Sequence, residues 1–228
     1  MIIGDGLVAS SFKKRGSYDD FIIFSSGVSN SKEVDLSEFN REKELLLNTI
    51  KTYSHLKIIY FSTVLVGFSD SDYCNHKLEM ENLIENEASS FIIFRVPQLV
   101  GPGGNKTNLI NYISHCVQEG TRITVGKNVK RSLMCVDDMV NIVDYCKDSV
   151  DNSVITISEI EKMNVLDICY LVGSILGRTP EVVVSDEADY DDWNIANSSL
   201  AEEAISALGI APEGYTERVL LNYLRIKV

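Results

Sequence analysis

Short apolar runs bounded by turn residues alternate along the chain with longer stretches of helical period. The apolar runs predict five strands, at residues 1–4, 21–25, 57–62, 91–96 and 154–157. The stretches 38–53, 75–87 and 109–118 place apolar residues three and four positions apart, which predicts helices packed on a sheet. This alternation is typical of an α/β protein with a parallel sheet. Right-handed crossovers in such a sheet leave a ligand site at the carboxyl ends of the strands.

The pattern loosens from about residue 122 onward, where turns become more frequent. We expect a smaller lobe there, closed by helices at 165–176 and 200–208, that covers a substrate. A length of 228 residues is enough for one core and demands no second domain. The prediction is a single domain over residues 1–228, with its main α/β part at 1–121 and the small lobe at 122–228.

Composition narrows the range of partners. The formal charge of −12 repels a phosphate backbone, and the only basic cluster, at residues 13–15, is too short for a nucleic-acid groove. The five cysteines contain no C-x-x-C pair and predict reduced thiols, and the three histidines have no ligand spacing, so we expect no metal. Neither a charged leader nor an apolar run of about 18 residues occurs. We therefore expect a cytoplasmic protein without a membrane span.

The first predicted strand runs into a turn of the pattern G-x-G-x-x-A, formed by Gly4, Gly6 and Ala9. The first glycine permits a tight turn, the second lets a pyrophosphate approach the backbone, and Ala9 lets helix and strand pack closely. A helix at residues 10–15 would present amide N–H groups and a positive dipole to the phosphates. We interpret the turn as a nucleotide-phosphate site, the alternative being a plain strand-to-helix turn.

A second candidate site joins Tyr73 and Lys77, four residues apart at the start of a predicted helix. Residues at i and i+4 share a helix face, so the Lys77 ammonium can lie beside the Tyr73 phenol and lower its pKa. Such a phenol exchanges a proton with a carbonyl or alcohol while a hydroxyl such as that of Thr63 polarises the same oxygen. Tyr53 and Tyr223 also precede a lysine by four residues, but their positions before a strand and at the chain end favour plain aromatic packing.

These segments, in this order, resemble the extended short-chain dehydrogenase/reductase family of nucleotide-sugar epimerases, dehydratases and reductases. The resemblance covers residues 2–9, 21–28, 59–67, 73–83, 94–103 and 131–143. Residues 94–103 read FRVPQLVGPG, similar to the family's R-x-x-N-v-y-G-P, with Gln98 in place of the final Asn. The resemblance implies a Rossmann-like, doubly wound parallel sheet, abbreviated by loss of early strands, and a nicotinamide cofactor bound mainly by residues 1–121.

Site residues follow from the resemblance position by position. It implies a catalytic set of Thr63, Tyr73 and Lys77, with Ser62 as a substitute for Thr63. The implied cofactor-binding residues are Gly4, Asp5, Gly6, Leu7, Val8, Ser25, Ser26, Gly27, Ser62, Tyr73, Lys77, Val96 and Pro97. The implied substrate-binding residues are Val64, Gln98 and Arg131.

Arg131 resembles the arginine that grips a substrate diphosphate in this family. The alternative is a surface salt bridge with Asp137 or Asp138. The two aspartates themselves are expected to cap a helix that begins at Met139, because Asp accepts hydrogen bonds from the free amides of a first turn.

One departure from the family concerns the cofactor. Residues 21–25 resemble the family's fourth strand, so the segment carrying strands two and three, which normally reads the adenosine ribose, is missing. Asp19 and Asp20 come too early for that role and are expected to lie on the surface. Because no acidic residue there repels a 2′-phosphate and residues 13–15 are basic, NADP is slightly favoured over NAD.

The sequence as a whole predicts an NAD(P)-dependent reductase or epimerase acting on a nucleotide-linked sugar, with Tyr73 as general acid or base. The alternative is a nucleotide-sensing or partner-binding protein with the same fold and no turnover, which the shortened adenosine half favours. The family often forms homodimers through helices that here are 38–53 and 75–87. Trp193, in an acidic run, is expected either to stack on a nucleotide base or to pack in an exposed loop.

Overall fold

The computed structural model describes residues 1–103, 108–186 and 194–225 of the chain. Its strands are β1 (Ile2–Ile3), β2 (Phe21–Phe24), β3 (Lys57–Thr63), β4 (Phe91–Val96), β5 (Gln98–Val100), β6 (Ile123–Gly126), β7 (Lys130–Cys135), β8 (Ser153–Thr156), β9 (Lys162–Asn164) and β10 (Val182–Ser185). Its helices are α1 (Leu7–Lys13), α2 (Leu36–Thr52), α3 (Asp72–Glu87), α4 (Leu109–Glu119), α5 (Val136–Cys146), α6 (Val165–Leu176), α7 (Ser199–Ala207) and α8 (Tyr215–Arg225). All five strands predicted from the apolar runs are present, and the α/β class is confirmed. Trp193 lies outside the described residues.

Five parallel strands form the main sheet in the order β1-β2-β3-β4-β8. Every residue of β2 is buried, as are the first four residues of β4. Such continuous apolar runs are typical of parallel strands covered on both faces. The register aligns Phe24 with Tyr60 and Thr63 with Val96. The loops that follow these strands therefore meet at one edge of the sheet.

Helices cover both faces of the main sheet. On one face, Phe12 of α1 shares a core with Ile59 and with the apolar residues of α5 and α7. On the other, Leu46 of α2 and Met80 of α3 pack with Tyr60. The strands β1 to β4 lie side by side in chain order, whereas α1 and α2 cover opposite faces of the sheet. The crossovers through these two helices therefore have opposite hands. The expectation that every crossover is right-handed is therefore wrong.

The missing segment explains this change of hand. In the doubly wound order 3-2-1-4-5-6, the first helix leads to strands on the far side of the first strand. Among the described residues, β1 pairs only with β2, through Ile2 with Ile23 and Ile3 with Phe24. The helix α1 thus leads straight to the strand on the near side, and β1 is left at the edge of the sheet.

A second core lies among the small sheets and the helices α4, α6 and α8. One small sheet has the order β5-β7-β9 and the other pairs β6 with β10. The helix α6 begins after Asn164, whose side chain accepts from Leu166 N at 2.9 Å, and ends at Gly177 with φ of +66°. By contrast, α5 and β8 join the main sheet, so the chain after residue 121 contributes to both cores. The functional division at that residue stays a prediction.

Two general features of the chain concern its surroundings. All five cysteines are free thiols, and four of them are buried. Within residues 1–103, 108–186 and 194–225, no helix is long and apolar enough to cross a membrane.

Candidate active site

A cavity of about 700 Å³ opens at the carboxyl ends of the main-sheet strands. Its walls come from the loops after β1, β2, β3 and β4 on one side and from β7 and the loop between β8 and β9 on the other. Of the residues predicted for the site, all but Gly4 line it: Asp5, Gly6, Leu7, Val8, Ser25, Ser26, Gly27, Ser62, Thr63, Val64, Tyr73, Lys77, Val96, Pro97, Gln98 and Arg131. The fold thus brings together segments that lie far apart in the sequence.

The two glycines of the first turn serve different purposes. Gly4 has φ of +120°, and a Cβ there would lie 2.5 Å from the carbonyl oxygen of Ser25. This glycine is therefore required for the close approach of the loops after β1 and β2. A Cβ on Gly6 would meet nothing within 4 Å, so the backbone there faces open space in the cavity.

Basic side chains beside this turn are already engaged. Lys13 Nζ donates to the carbonyl oxygen of Gly4 at 2.9 Å and to Asp5 Oδ1 at 2.8 Å, and this lowers the pKa of Asp5. Arg15 instead donates to Asn141 Oδ1 on α5 at 2.5 Å. Of these two side chains, only Lys13 lies at the glycine turn.

Asp19 and Asp20 are exposed in the turn before β2. Asp19 Oδ2 accepts from the hydroxyl of Ser17 at 3.1 Å. Both positions agree with the surface role expected of them.

The first turns of α3 carry Tyr73 and Lys77. The helix begins after Ser71, whose hydroxyl accepts from Cys74 N at 3.3 Å. The Lys77 ammonium is 5.9 Å from the centre of the Tyr73 ring, so the predicted neighbourhood exists. However, its close partners are Glu42 Oε1 and the Tyr60 hydroxyl, each at 2.9 Å.

Glu42 of α2 is a fully buried carboxylate at the centre of these contacts. Oε1 accepts from Tyr60 at 2.6 Å and from Lys77, while Oε2 accepts from Val28 N at 2.6 Å and contacts His76 Nε2 at 2.9 Å. Burial alone raises the pKa of this carboxyl, but Lys77 and the three other contacts outweigh burial and hold the pKa far below its usual range. Glu42 is therefore ionised and paired with Lys77.

Gly27 makes room for this pair. A Cβ at residue 27 would lie 2.6 Å from Lys77 Nζ and 2.7 Å from Glu42 Oε1. The glycine after β2, which the resemblance assigns to cofactor binding, thus also permits Lys77 to reach the cavity wall while it is paired with Glu42.

The expected lowering of the Tyr73 pKa is wrong. Burial raises the pKa of the Tyr73 phenol well above its ordinary value, and the Glu42 carboxylate and the Cys74 thiol raise it further. The main physical reason is burial, which removes water from the charged phenolate, and the second is the Glu42 carboxylate, which offsets the positive charge of Lys77.

Two hydroxyls at the end of β3 were candidates for the polarising group. Ser62 lies on the side of the strand that Tyr60 shares, because side chains alternate along a strand. Its Oγ is buried and has no hydrogen-bond partner among the described residues. Thr63 Oγ1 accepts from Leu65 N at 3.3 Å. Both line the cavity, and Ser62 is the one with an unsatisfied hydroxyl.

The opposite wall of the cavity is basic. Lys130 and Arg131 of β7 face Asn164 and Met163 of β9 in register, and Lys162 follows on β9. Apart from Lys77, whose charge Glu42 offsets, four of the described lining residues are basic and two acidic: Arg41, Lys130, Arg131 and Lys162 against Asp5 and Glu159. In a chain with a net charge of −12, this local excess of positive charge indicates an anionic ligand.

The prediction that Asp137 and Asp138 cap a helix starting at Met139 is wrong. The helix α5 begins at Val136 with Cys135 in the N-cap position, so both aspartates lie in its first turn. Asp138 Oδ2 accepts from the Tyr215 hydroxyl at 2.6 Å and thereby ties α8 to α5. The apolar Val136 packs in the main core, and this extends the helix toward its N-terminus.

Sequence reasoning missed Glu42, although the pattern contained a signal. The buried positions of α2 are Phe39, Glu42, Leu46, Thr49 and Ile50, spaced three and four apart, so the carboxylate stands within the apolar stripe of the helix. A charge in such a position calls for an opposite charge on a neighbouring element. Lys77, within the buried stripe of α3, is that charge.

No cluster of three or more histidine, cysteine, aspartate or glutamate side chains suited to a metal ion occurs in the part of the chain that the structure describes.

Comparisons with known proteins agree with this geometry. The model of the NAD dependent epimerase/dehydratase family matches residues 37–158, which is more than half of the chain. The chain therefore belongs to the NAD-dependent epimerase/dehydratase family. The match begins at α2, so the glycine turn lies outside it. Among curated proteins, sequence comparison finds no match.

Solved structures of low sequence identity share the fold. The UDP-glucose 4-epimerase of Thermus thermophilus in complex with NAD is 14% identical with a TM-score of 0.72, over 96% of this chain and 82% of that one. The dTDP-glucose 4,6-dehydratase of Bacillus anthracis in complex with NAD is 16% identical with a TM-score of 0.70, over 96% and 75% of the two chains. RMD from Pseudomonas aeruginosa complexed with NADPH is 17% identical with a TM-score of 0.68, over 92% and 82%. The Rossmann-like parallel sheet is thereby confirmed.

Proposed function

We propose that this protein is an NAD(P)-dependent reductase or epimerase that acts on a nucleotide-linked sugar. The observation that carries the proposal is the cavity at the sheet edge, where Tyr73, Lys77 and the hydroxyls of β3 share one wall with the glycine turn. Membership of the NAD-dependent epimerase/dehydratase family supports the same interpretation. The neighbours named above include an epimerase and a dehydratase of nucleotide sugars, which supports that substrate class.

Tyr73 is assigned the proton transfer at the substrate oxygen. Ser62 or Thr63, at the end of β3, is assigned the hydrogen bond that polarises this oxygen. Arg131, with the basic side chains around it, is assigned the binding of the substrate diphosphate, because a guanidinium group can donate two parallel hydrogen bonds to the oxygens of one phosphate. Val64 and Gln98 are assigned contacts to the sugar.

The residues of the cavity fit a nicotinamide dinucleotide. Open space over Gly6 suits a pyrophosphate, and the buried hydroxyls of Ser62 and Ser132 both line the cavity without a partner among the described residues. The turn at residues 4–8 and the loop at 25–27 would hold the nucleotide half, and Lys77, Val96 and Pro97 the nicotinamide half. When bound, the cofactor supplies or accepts a hydride at a sugar carbon. NADP is slightly favoured over NAD.

Two observations favour a second candidate, a nucleotide-sensing or partner-binding protein without turnover. The strand β1 lies at the edge of the main sheet, where the segment that normally reads the ribose is missing. In addition, Lys77 is held by Glu42. Nucleotide binding without consumption of reduced cofactor would support this candidate.

The protein is further proposed to form a homodimer through the outer faces of α2 and α3. Sedimentation at micromolar concentration tests this assignment, and a monomer alone would contradict it.

The test of function has two stages. A rise in melting temperature with NADPH or NADH is expected first, and loss of absorbance at the reduced-nicotinamide band with keto-sugar nucleotides second. Tyr73→Phe is expected to keep the cofactor-induced rise but to lower turnover by about two orders of magnitude or more, the usual scale for a general acid. Unchanged turnover in Tyr73→Phe would show that another group transfers the proton.

A further inference from the structure

A buried polar cluster beside the proposed reaction centre is formed by Val28, Glu42, Tyr60, His76 and Lys77, and is here called the Glu42 cluster. Glu42 is fully buried, and Lys77 and His76 are 3% and 5% exposed. Each oxygen of Glu42 has two contacts between 2.6 and 2.9 Å. His76 also stacks on Phe39, with ring centres 4.6 Å apart. The carboxylate is therefore held in one position by three separate elements of the fold.

The cluster limits what Lys77 can do. An ammonium has three N–H donors and no acceptor. Two of the three are directed to Glu42 Oε1 and to the Tyr60 hydroxyl, each at 2.9 Å. At most one N–H is left for a ligand in the cavity, so Lys77 cannot grip two hydroxyls of a ribose while it keeps both partners.

The cluster also sets the charge around Tyr73. The ionisable groups that act on this phenol are Glu42 from α2, Tyr60 from β3, and Cys74 and Lys77 from α3. His76, also on α3, contacts Glu42. Lys77 carries the positive charge among them, and Glu42 is its ion-pair partner. The pair presents no net charge, and its negative member disfavours a second negative charge nearby.

We infer that Glu42 is a positioning residue that fixes Lys77 and offsets its charge, so that Tyr73 meets the substrate as a neutral phenol and donates its proton. This inference rests on the proposed function and deepens it: the substrate is a keto sugar, and the reaction runs as a reduction. The O–H bond of Tyr73 breaks and its proton joins the carbonyl oxygen, while the carbonyl carbon gains the hydride of the reduced nicotinamide. The product is an alcohol, and the tyrosinate takes a proton from water.

A titration that needs no substrate tests the inference directly. Tyrosinate absorbance is followed against pH for the protein and for its Tyr73→Phe variant, and the difference isolates Tyr73 from the other nine tyrosines. The wild-type difference is expected to show Tyr73 protonated beyond pH 10, the ordinary ionisation point of tyrosine. Ionisation of Tyr73 below pH 10 would overturn the inference.

The Glu42→Gln variant tests the cause. Removal of the negative charge eases ionisation of Tyr73, so its transition is expected to move at least about one pH unit toward neutrality. Glu81→Gln is the matched control, because Glu81 is also a buried carboxylate in an ion pair, with Arg95 at 2.5 Å. An equal movement in Glu81→Gln, or none in Glu42→Gln, contradicts the role of Glu42. If Glu42→Gln does not fold, the wild-type titration alone tests the inference, and ionisation of Tyr73 below pH 10 contradicts it.

The pH dependence of turnover separates this inference from the proposed function. In the reduction direction, turnover falls at high pH as Tyr73 loses its proton, and Glu42→Gln is expected to move that fall to lower pH. A titration shift without turnover on any keto-sugar nucleotide would contradict the proposed function and the direction of reaction. It would leave intact the effect of the Glu42 charge on the ionisation of Tyr73. Turnover whose pH dependence is the same in both proteins would instead overturn the role of Glu42.

Discussion

The two ends of the cavity are built by different means. At the end formed by β3, α2 and α3, the side chains of Tyr73, Lys77 and Glu42 are packed against long buried strands, and the carboxylate has its hydrogen bonds satisfied. At the end formed by β1 and α1, two paired residues support a glycine turn, and Asp5 and Lys13 pair in solvent. The family model matches the first end and does not reach the second.

This contrast indicates which part of the site depends on packing. A buried ion pair exists only while its surroundings hold both partners, so the end with Lys77 needs the whole fold around it. The glycine turn needs backbone amides and open space, which a short strand can supply. Loss of an early segment is therefore compatible with a phosphate site, whereas it removes the side chain that would choose between cofactors.

The largest difference in stability between the two ends is expected when Lys77 and Lys13 are each replaced by methionine. Lys77→Met leaves the buried Glu42 without its cation and should lower the free energy of unfolding by about 3 kcal/mol or more. Lys13→Met breaks a solvent-exposed pair and should leave the urea midpoint nearly unchanged. Urea unfolding of both variants measures the difference. Equal losses in the two would show that the ends do not differ in this respect.

A smaller difference is expected between two glycine substitutions. Gly27→Ala inserts a Cβ within 2.7 Å of Lys77 and Glu42, and such overpacking should cost about 1–3 kcal/mol of stability. Gly6→Ala meets open space at φ of −76°, so its effect on stability should stay below about 1 kcal/mol. Nucleotide binding should nevertheless weaken in Gly6→Ala, because the new methyl group occupies the space over the turn. Calorimetric titration with NADPH alongside unfolding curves checks both statements, and unaltered binding in Gly6→Ala would remove this turn from the cofactor site.

The smallest effect concerns the choice between NADPH and NADH. Lys13 is the basic side chain seen at the turn, it is shared with Asp5, and Arg15 is directed to α5. The preference for NADPH is therefore expected to be slight and to fade as salt rises, since exposed charges are screened beyond about 10 Å at 0.1 M. Titrations with both cofactors at low and high salt measure it. Strong selectivity for NADH at both salt levels would mean that Asp19 or Asp20 reads the ribose.

The main sheet could be predicted because its strands are continuous apolar runs. The ends of β4 and α6 agree with their predicted limits to the residue. The strands β5, β6, β7, β9 and β10 were missed because most have three or four residues and pair with distant segments, so local pattern says little about them. The hand of the first crossover was predicted wrongly, because the general preference for right-handed crossovers does not account for the missing segment that places β2 beside β1.

The site, like the fold, has some features that the sequence predicts and others that it does not. Tyr73, Lys77 and the glycine turn are recognisable by spacing and context, and their common cavity follows from the parallel sheet. The partners of Lys77 depend on how α2 packs against α3, and the sequence of one segment alone does not predict that packing. A charge within the apolar stripe of α2 was nevertheless visible at Glu42, and its pairing with the equally buried Lys77 could have been proposed from the two stripes alone.

The brevity of β1 has a consequence for the open edge of the main sheet. An open sheet edge presents unpaired amides that recruit strands from other molecules, and long edges of this kind template aggregation. Among the residues that the structure describes, β1 contributes Ile2 and Ile3 to this edge of the main sheet, which leaves a foreign strand few backbone groups to bind. An edge strand of two residues therefore gives another strand little length along which to pair.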